Sequence, residues 1–394
     1  MNDRLLRVLW TLMALVAVGL GAATAYLFRE TRRLSAVAQP PYRIAYVSWQ
    51  DDDVGLQTCN LQGQDVRRLT SAEGMDAFVA AEPLHAGMSV PRVAFLRAHP
   101  EPQVGASESS VGMEGAVYVM SADGGPPVQV SGTLQRIWDV PPCWLAGGKQ
   151  LVFAALEDLN GDGKWLADES GLYICDADKA EPRRFAAGSG TVTRLACSPI
   201  DPLVIVTWVE SDRTSSALLS TEGGKPLLEG DAPVACWSPD GAQIAAYLLD
   251  DRRIHILRTD ASELYDLEPP PGEIVDLLWL PMWPAQGQNQ TGQLLAVASS
   301  QHGIGAGQMY LRSVEPRAES WQRLSNQDDY IIHMAPSPDG RYVAYTLYTG
   351  SSGQRNGPPQ ADLYLLDLSS GQDLRLTTDK GFEGLAAWIP RPQE

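Results

Sequence analysis

Catalytic vocabulary is what this sequence has least of. Its 394 residues contain no G-x-S-x-G elbow, no H-E-x-x-H and no Walker-type glycine loop. A strand-end serine nucleophile, a zinc peptidase helix and a phosphate cradle therefore have no local signature. Five histidines, His85, His99, His255, His302 and His333, are scattered along the chain. The five cysteines, Cys59, Cys143, Cys175, Cys197 and Cys236, are odd in number, irregularly spaced and free of any C-x-x-C. Most fall inside predicted strands, which makes them small buried apolar residues rather than a disulfide framework or a ligand set. Basic residues are short as well, 30 against 48 acidic, for a net charge of −18. That balance excludes the basic surface that nucleic acid requires and favours a solvated, self-repelling exterior. Beyond residue 41 no stretch carries a convincing helical period.

One long apolar run is present. Val8 to Phe28 is uncharged and bracketed by Arg7 and Arg29, and at about 1.5 Å per residue it spans a bilayer core of about 30 Å. Ala23-Thr24-Ala25 fits a signal-peptide cleavage pattern, the competing reading. The run continues through Tyr26, Leu27 and Phe28, which favours an uncleaved anchor. Residues 1–41 are read as this anchor and a juxtamembrane connector. Arginines flank the span on both sides, so they cast no vote on orientation.

Glycine (36) and proline (28) are abundant, and they punctuate a repeat. Trp237-Ser238-Pro239-Asp240-Gly241 precedes Ile244-Ala245-Ala246-Tyr247, and Pro336-Ser337-Pro338-Asp339-Gly340 precedes Tyr342-Val343-Ala344-Tyr345. Proline presets φ, aspartate caps local amides and glycine accepts a positive φ, so each unit reads strand, tight turn, strand. Two further short strands follow each copy. Weaker copies begin near Ala77, Ile137, Val192 and Ile274, at a spacing suited to propeller blades. The first unit opens at Ile44–Val47 without a turn-bearing strand, while Phe382–Ile389 reads as an orphan first strand. Pairing the two completes a blade and removes exposed edges. The expectation is an all-β fold, a β-propeller of four-stranded blades over residues 42–394, seven in number with six or eight as alternatives, preceded by one transmembrane helix.

The W-S-P-D-G turn, the I-A-[FY] strand, the later strand Leu363–Asp367 and the endings Arg68-Leu69-Thr70 and Arg375-Leu376-Thr377 resemble the TolB-like propeller family over about residues 42–394. The resemblance implies the fold and is weak for function, because one scaffold hosts many roles. Peptidase members of that family carry a separate hydrolase or protease domain, for which this sequence has no counterpart. The resemblance also points to an exported propeller.

Long insertions fall at 97–115, 157–171, 299–307 and 348–361, all second-to-third-strand connections that share one propeller face. Long loops on a rigid scaffold commonly carry binding. One of them, Asp158-Leu159-Asn160-Gly161-Asp162-Gly163 followed by Glu169, fits D-x-[DN]-x-[DN]-G-x5-E,. Asp158, Asn160 and Asp162 supply side-chain oxygens, the Lys164 carbonyl a fourth ligand, and Glu169 closes the set, with Asp168 as a substitute. Strands rather than helices flank it, so the expectation is a structural Ca²⁺ loop outside an EF-hand, against an acidic hairpin that binds nothing. Acidic residues also cluster at Asp51-Asp52-Asp53, Asp250-Asp251 and Asp328-Asp329, a solvated-loop pattern or a negative binding surface. His333 is expected on an inner strand, as a channel residue or a hydrogen-bonded wall residue. The tryptophans at 144, 237, 279 and 388 end first strands and are read as packing between blades. Asn289-Gln290-Thr291 matches a glycosylation sequon by pattern alone.

The reading that follows is a membrane-anchored, non-enzymatic propeller that lies outside the cytoplasm. It would bind a protein, peptide or cell-envelope partner and no nucleic acid. The alternative is a hydrolase or lyase acting on a polysaccharide or ester at the channel mouth.

Overall fold

A computed structural model describes residues 42–390, except 51–52, 71–73, 84, 86–87, 89, 99–111, 189, 211–212, 261, 282–291, 301–305, 318–319, 327–328 and 352–358. The proposed span 8–28, the sequon at 289–291, His99, His302, Asp51, Asp52 and Asp328 lie outside the described residues. Among the described residues no helix is long and apolar enough to cross a membrane.

The strands run in chain order as follows. Blade 1 takes β1 (Tyr42–Gln50), β2 (Asp53–Cys59) and β3 (Arg67–Arg68) from the start of the described chain. Blade 2 is β4 (Met75–Ala81), β5 (Arg92–Ala98), β6 (Met113–Ser121) and β7 (Val128–Gln129). Blade 3 has a split inner strand, β8 (Arg136–Ile137) and β9 (Cys143–Trp144), then β10 (Gln150–Leu156), β11 (Ser170–Asp176) and β12 (Arg183–Ala187). Blade 4 is β13 (Thr191–Cys197), β14 (Leu203–Glu210), β15 (Arg213–Ser220) and β16 (Leu228–Gly230). Blade 5 is β17 (Val234–Trp237), β18 (Gln243–Leu248), β19 (Arg253–Arg258) and β20 (Glu263–Leu267). Blade 6 is β21 (Glu273–Leu280), β22 (Gln293–Ser299), β23 (Gln308–Ser313) and β24 (Gln322–Arg323). Blade 7 is β25 (Ile331–Pro336), β26 (Tyr342–Ser351), β27 (Pro359–Asp367) and β28 (Gln372–Arg375), and the last strand, β29 (Phe382–Pro390), returns to blade 1.

That return closes the ring. β29 pairs antiparallel with β1 from Tyr42↔Pro390 to Trp49↔Phe382 and becomes the inner strand of a composite blade. Among the described residues the sheets make seven blades. Single ladders link blades 2 and 3 (Met113↔Ile137) and blades 7 and 1 (Ala361↔Phe382).

The Ser-Pro-Asp-Gly turns repeat almost atom for atom. Ser238 Oγ accepts the Gln243 amide at 2.9 Å and donates to Asp240 Oδ1 at 2.6 Å, while the Ala242 amide donates to the same oxygen. Ser337, Asp339, Arg341 and Tyr342 repeat the arrangement. Gly241 and Gly340 sit at φ +69° and +70°. A Cβ at Gly340 would meet the Pro281 carbonyl oxygen at 2.0 Å, so glycine is required by conformation and by space,. Ser198 heads a third copy that the sequence disguises as Ser-Pro-Ile-Asp, its Oγ accepting the Asp201 amide at 3.1 Å.

Between blades, the tryptophans act as clasps. The indole N–H of Trp144, Trp237 and Trp388 donates to the carbonyl of Ala80, Ala196 and Ala335 at 3.0, 2.8 and 2.8 Å, each in the inner strand of the preceding blade. Trp279 is equally buried, packed with Cys236 and Ala245 of blade 5. Blades 2, 3 and 7 also carry a stacked aromatic pair across their middle strands: Phe95–Tyr118, Phe153–Tyr173 and Tyr345–Tyr364, with centroids 5.8, 5.7 and 5.5 Å apart.

Loop lengths divide the two faces less cleanly than the sequence suggests. The β10–β11 connection is long, but so are two first-to-second-strand connections, 82–91 and 281–292. Strands also run further into the insertions than expected: β26 extends to Ser351 and β27 starts at Pro359.

Replacing Trp237 or Trp388 with phenylalanine keeps most of the ring contact but orphans a buried carbonyl, at a cost of about 1–3 kcal/mol each. Because the two clasps lie in different parts of the ring, the losses should add in the double variant. Denaturant unfolding of the three variants measures this; no loss in either single variant would remove the clasp role.

Candidate functional site

Inner strands line the axis of a propeller, and here most of them are bulged at a corresponding point. Register shifts occur between Ala77 and Ala80, Val192 and Arg194, Ile274 and Asp276, and Ile331 and His333, and opposite Ala45/Val47 on β29. Phe78 and Leu385, inside two of these bulges, have φ of +55° and +52°. A bulge re-aims the side chain that follows it. In blades 4, 6 and 7 that residue is polar: Arg194, Asp276 and His333.

The three interact. Arg194 reaches past blade 5 to blade 6, where Nη1 donates to Asp276 Oδ1 at 2.7 Å and Nη2 to the Val275 carbonyl. Asp276 also accepts the Leu277 amide at 3.0 Å. His333 has a buried Nδ1 that meets no hydrogen-bond partner among the described residues. Burial holds its imidazole below the ordinary histidine range, with Arg194 pushing in the same direction and Asp276 opposing. Cys236, on the short inner strand of blade 5, lies within the field of the same pair, and burial drives its thiol far up. Elsewhere on the inner strands, Cys143 Sγ accepts the Cys197 amide at 2.8 Å across blades 3 and 4, and burial together with the Cys143 hydrogen bond raises the Cys197 thiol. All five thiols are free. Burial pushes Cys59 and Cys175 up to about 12, so neither is a nucleophile near neutral pH,.

Sequence reasoning singled out His333 but missed Arg194 and Asp276, which lie 82 residues apart. The other described histidines are occupied in outer parts of the molecule: His85 Nε2 meets Glu82 Oε1 at 3.0 Å and His255 Nε2 meets Asp251 Oδ2 at 2.9 Å. The acidic clusters are partly spent. Asp53 is held by Arg68, which lowers its carboxyl, and Asp329 accepts the Asn326 amide.

In the proposed calcium loop, the side chains fold back on their own backbone. Asp158 accepts the Asp162 and Gly163 amides at 3.0 and 2.9 Å, Asn160 accepts the Asp162 amide at 2.9 Å, and Asp162 accepts the Lys164 amide at 2.8 Å. Gly161 and Gly163 take φ of +71° and +76°. Glu169 is buried at the end of a single 3₁₀ turn, Ala167–Glu169, and accepts the Leu166 amide at 3.3 Å. The loop thus gathers Asp158, Asn160 and Asp162. Among the described residues no three His, Cys, Asp or Glu side chains converge tightly enough to hold a metal ion, and Glu169 is not brought to the other two carboxylates.

No protein-family model matches the chain, and no curated protein matches it. Solved structures do. TolB from Acinetobacter baumannii is similar over 89% of this chain and 67% of its own, at 15% identity and a TM-score of 0.50. A puromycin hydrolase is similar over 86% of this chain at 14% identity and a TM-score of 0.56, and this chain spans 52% of its length. At such identities the likeness concerns fold alone. The fold is a TolB-like β-propeller.

The lowered imidazole has a measurable consequence. An unfolded chain protonates His333 near pH 6.5, whereas the folded protein resists to lower pH. Unfolding therefore takes up a proton below that value, and this residue makes stability fall as pH drops from about 7 to 5. His333→Gln should flatten that slope; parallel stability–pH curves for variant and parent would show that the site does not hold histidine neutral.

Proposed function

We propose that the chain is a non-enzymatic binding scaffold: a propeller held at a membrane by span 8–28, outside the cytoplasm, presenting its second-to-third-strand loops to a protein, peptide or cell-envelope partner. The observation that carries this reading is the Arg194–Asp276 pair. It commits Asp276, the carboxylate whose charge acts on His333, to Arg194 instead. General acid–base catalysis needs a group poised near neutral pH within reach of a proton donor or acceptor, and burial pushes His333 down from its ordinary value.

The expected result of cross-linking intact host membranes and capturing the protein is a stoichiometric envelope partner. Shortening the 97–115 or 348–361 insertion should abolish that capture. Capture that survives both deletions would remove the long-loop face from the proposal. One observation favours the alternative, a hydrolase or lyase on a polysaccharide or ester: the open Nδ1 of His333. Turnover of such substrates by the parent protein, abolished by His333→Gln, would establish that alternative instead.

The calcium loop belongs to the same proposal as a stiffener of the β10–β11 connection, with Asp158, Asn160, Asp162, the Lys164 carbonyl and Glu169 as ligands. Binding would draw Glu169 from the Leu166 amide toward the loop. A site saturated at about 100 times its dissociation constant adds about 2.7 kcal/mol of stability. Calcium titration followed by thermal unfolding should show that gain, and Asp158→Ala and Glu169→Ala should each erase it. Equal response in parent and variants would leave an acidic hairpin that binds no ion.

A further inference from the structure

Blade 5 lacks the aromatic pair that blades 2, 3 and 7 carry, and a cavity stands in its place. The hairpins of these blades align at the pairs Arg92↔Ser121, Gln150↔Asp176, Tyr342↔Asp367 and Gln243↔Arg258. Three residues in from that end, blades 2, 3 and 7 place Phe95↔Tyr118, Phe153↔Tyr173 and Tyr345↔Tyr364; blade 5 places Ala246↔His255. In blades 3 and 7 the pair packs against the preceding blade. In blade 5 the corresponding face looks onto blade 4, where Gly230 and Ser216 stand opposite each other on β16 and β15. Small residues on both walls leave a cavity of about 240 Å³ between blades 4 and 5.

Its body is apolar, walled by Ile205, Leu218, Leu228, Ile244 and Leu257. The mouth is acidic: Glu229 and Glu263 line it and are exposed. His255 lies between Glu263 and Asp251, with Nδ1 3.3 Å from Glu263 Oε1 and Nε2 2.9 Å from Asp251 Oδ2. A cavity of about 150 Å³ with aliphatic walls suffices for benzene, so this one accommodates roughly ten non-hydrogen atoms by the same scale.

We propose that this interblade cavity is a binding site for a small amphiphilic amine, its aromatic or branched aliphatic body between blades 4 and 5 and its ammonium group at Glu229 and Glu263. The charge of the mouth selects the class. A carboxylate-bearing ligand would meet two like charges, and the net charge of −18 further disfavours anions,. A neutral body fills the cavity but leaves the acidic rim unused. The proposal does not depend on the scaffold reading.

The probe is 1-naphthylmethylamine, titrated calorimetrically into the detergent-solubilised full chain, with 1-naphthylmethanol and 1-naphthylacetate as neutral and anionic counterparts. The amine should bind about tenfold more tightly than the alcohol, the effect of two partly exposed ion pairs, and the acid should not bind. Glu229→Gln with Glu263→Gln should erase the preference for the amine over the alcohol. Gly230 has open space where a Cβ would stand and no positive φ, so Gly230→Leu should fill the cavity, abolish binding and leave thermal stability equal or higher. His255→Tyr restores the residue found in other blades and serves as a second filled variant. The proposal is overturned if the amine shows no saturable binding, if the alcohol or acid binds as well as the amine, or if both filled variants bind like the parent.

Discussion

Seven wedge-shaped sheets can share one axis only if the ends of the ring are held together, and the β1–β29 ladder does this. Trp49 pairs with Phe382 and Tyr42 with Pro390, so the inner strand of blade 1 comes from the far end of the sequence. Without that ladder β1 and β29 would each present an open edge, the geometry that invites pairing with another chain. Joining distant segments carries a loop-closure entropy that grows only slowly with length, but it makes the contact non-local and its formation slow. Trp388 couples the two functions: the same residue that pairs with Ile44 in the closing ladder donates its indole to Ala335 of blade 7.

Closure alone does not set the rotation of one blade on the next, because apolar faces slide. Directional polar groups buried between them do not. Arg92 in blade 2 holds Glu82, the Gly148 carbonyl and Asp178 while its guanidinium lies 5.2 Å from the Trp144 ring centroid. Within blade 2, Arg97 meets buried Asp76 through two parallel bonds of 2.6 and 2.9 Å. Such a pair adds little net stability but is costly to break from one side, about 3–5 kcal/mol, so it fixes geometry more than it deepens the well. Blade 5, like blades 4 and 6, has no aromatic pair at the corresponding register, and it places Ala246 opposite His255 where the cavity opens.

What could be read from the sequence was whatever is encoded locally. Ser238–Gly241 and Ser337–Gly340 announce their turns because each hydrogen bond closes within five residues. Strand starts at Ala77, Ile137, Val192 and Ile274 were legible from short apolar runs, and the closing strand from the mismatch between first and last units. The tryptophans were legible as interblade packing because they recur at strand ends. The bulges were not, since Thr193, Val275 and Ile332 look like ordinary strand residues and the extra residue is decided by the partner strand. Arg194 and Asp276 were invisible for the same reason: nothing local joins residues separated by a whole blade. The calcium pattern illustrates the converse, a legible spacing whose last member, Glu169, turns to a neighbouring amide.

The channel cluster balances itself. Arg194 and Asp276 pair at 2.7 Å, and burial pushes His333, which feels both charges, below its ordinary value. A nucleophile or base raised above its resting reactivity needs an unbalanced neighbour, a carboxylate free to orient an imidazole or a cation free to depress a thiol. Here Asp276, the group that would raise His333, already serves Arg194, and burial keeps the Cys236 thiol protonated despite Arg194's opposing pull. Any partner that contacted this cluster would meet a paired dipole and a neutral ring. Such groups interact by hydrogen-bond geometry and shape.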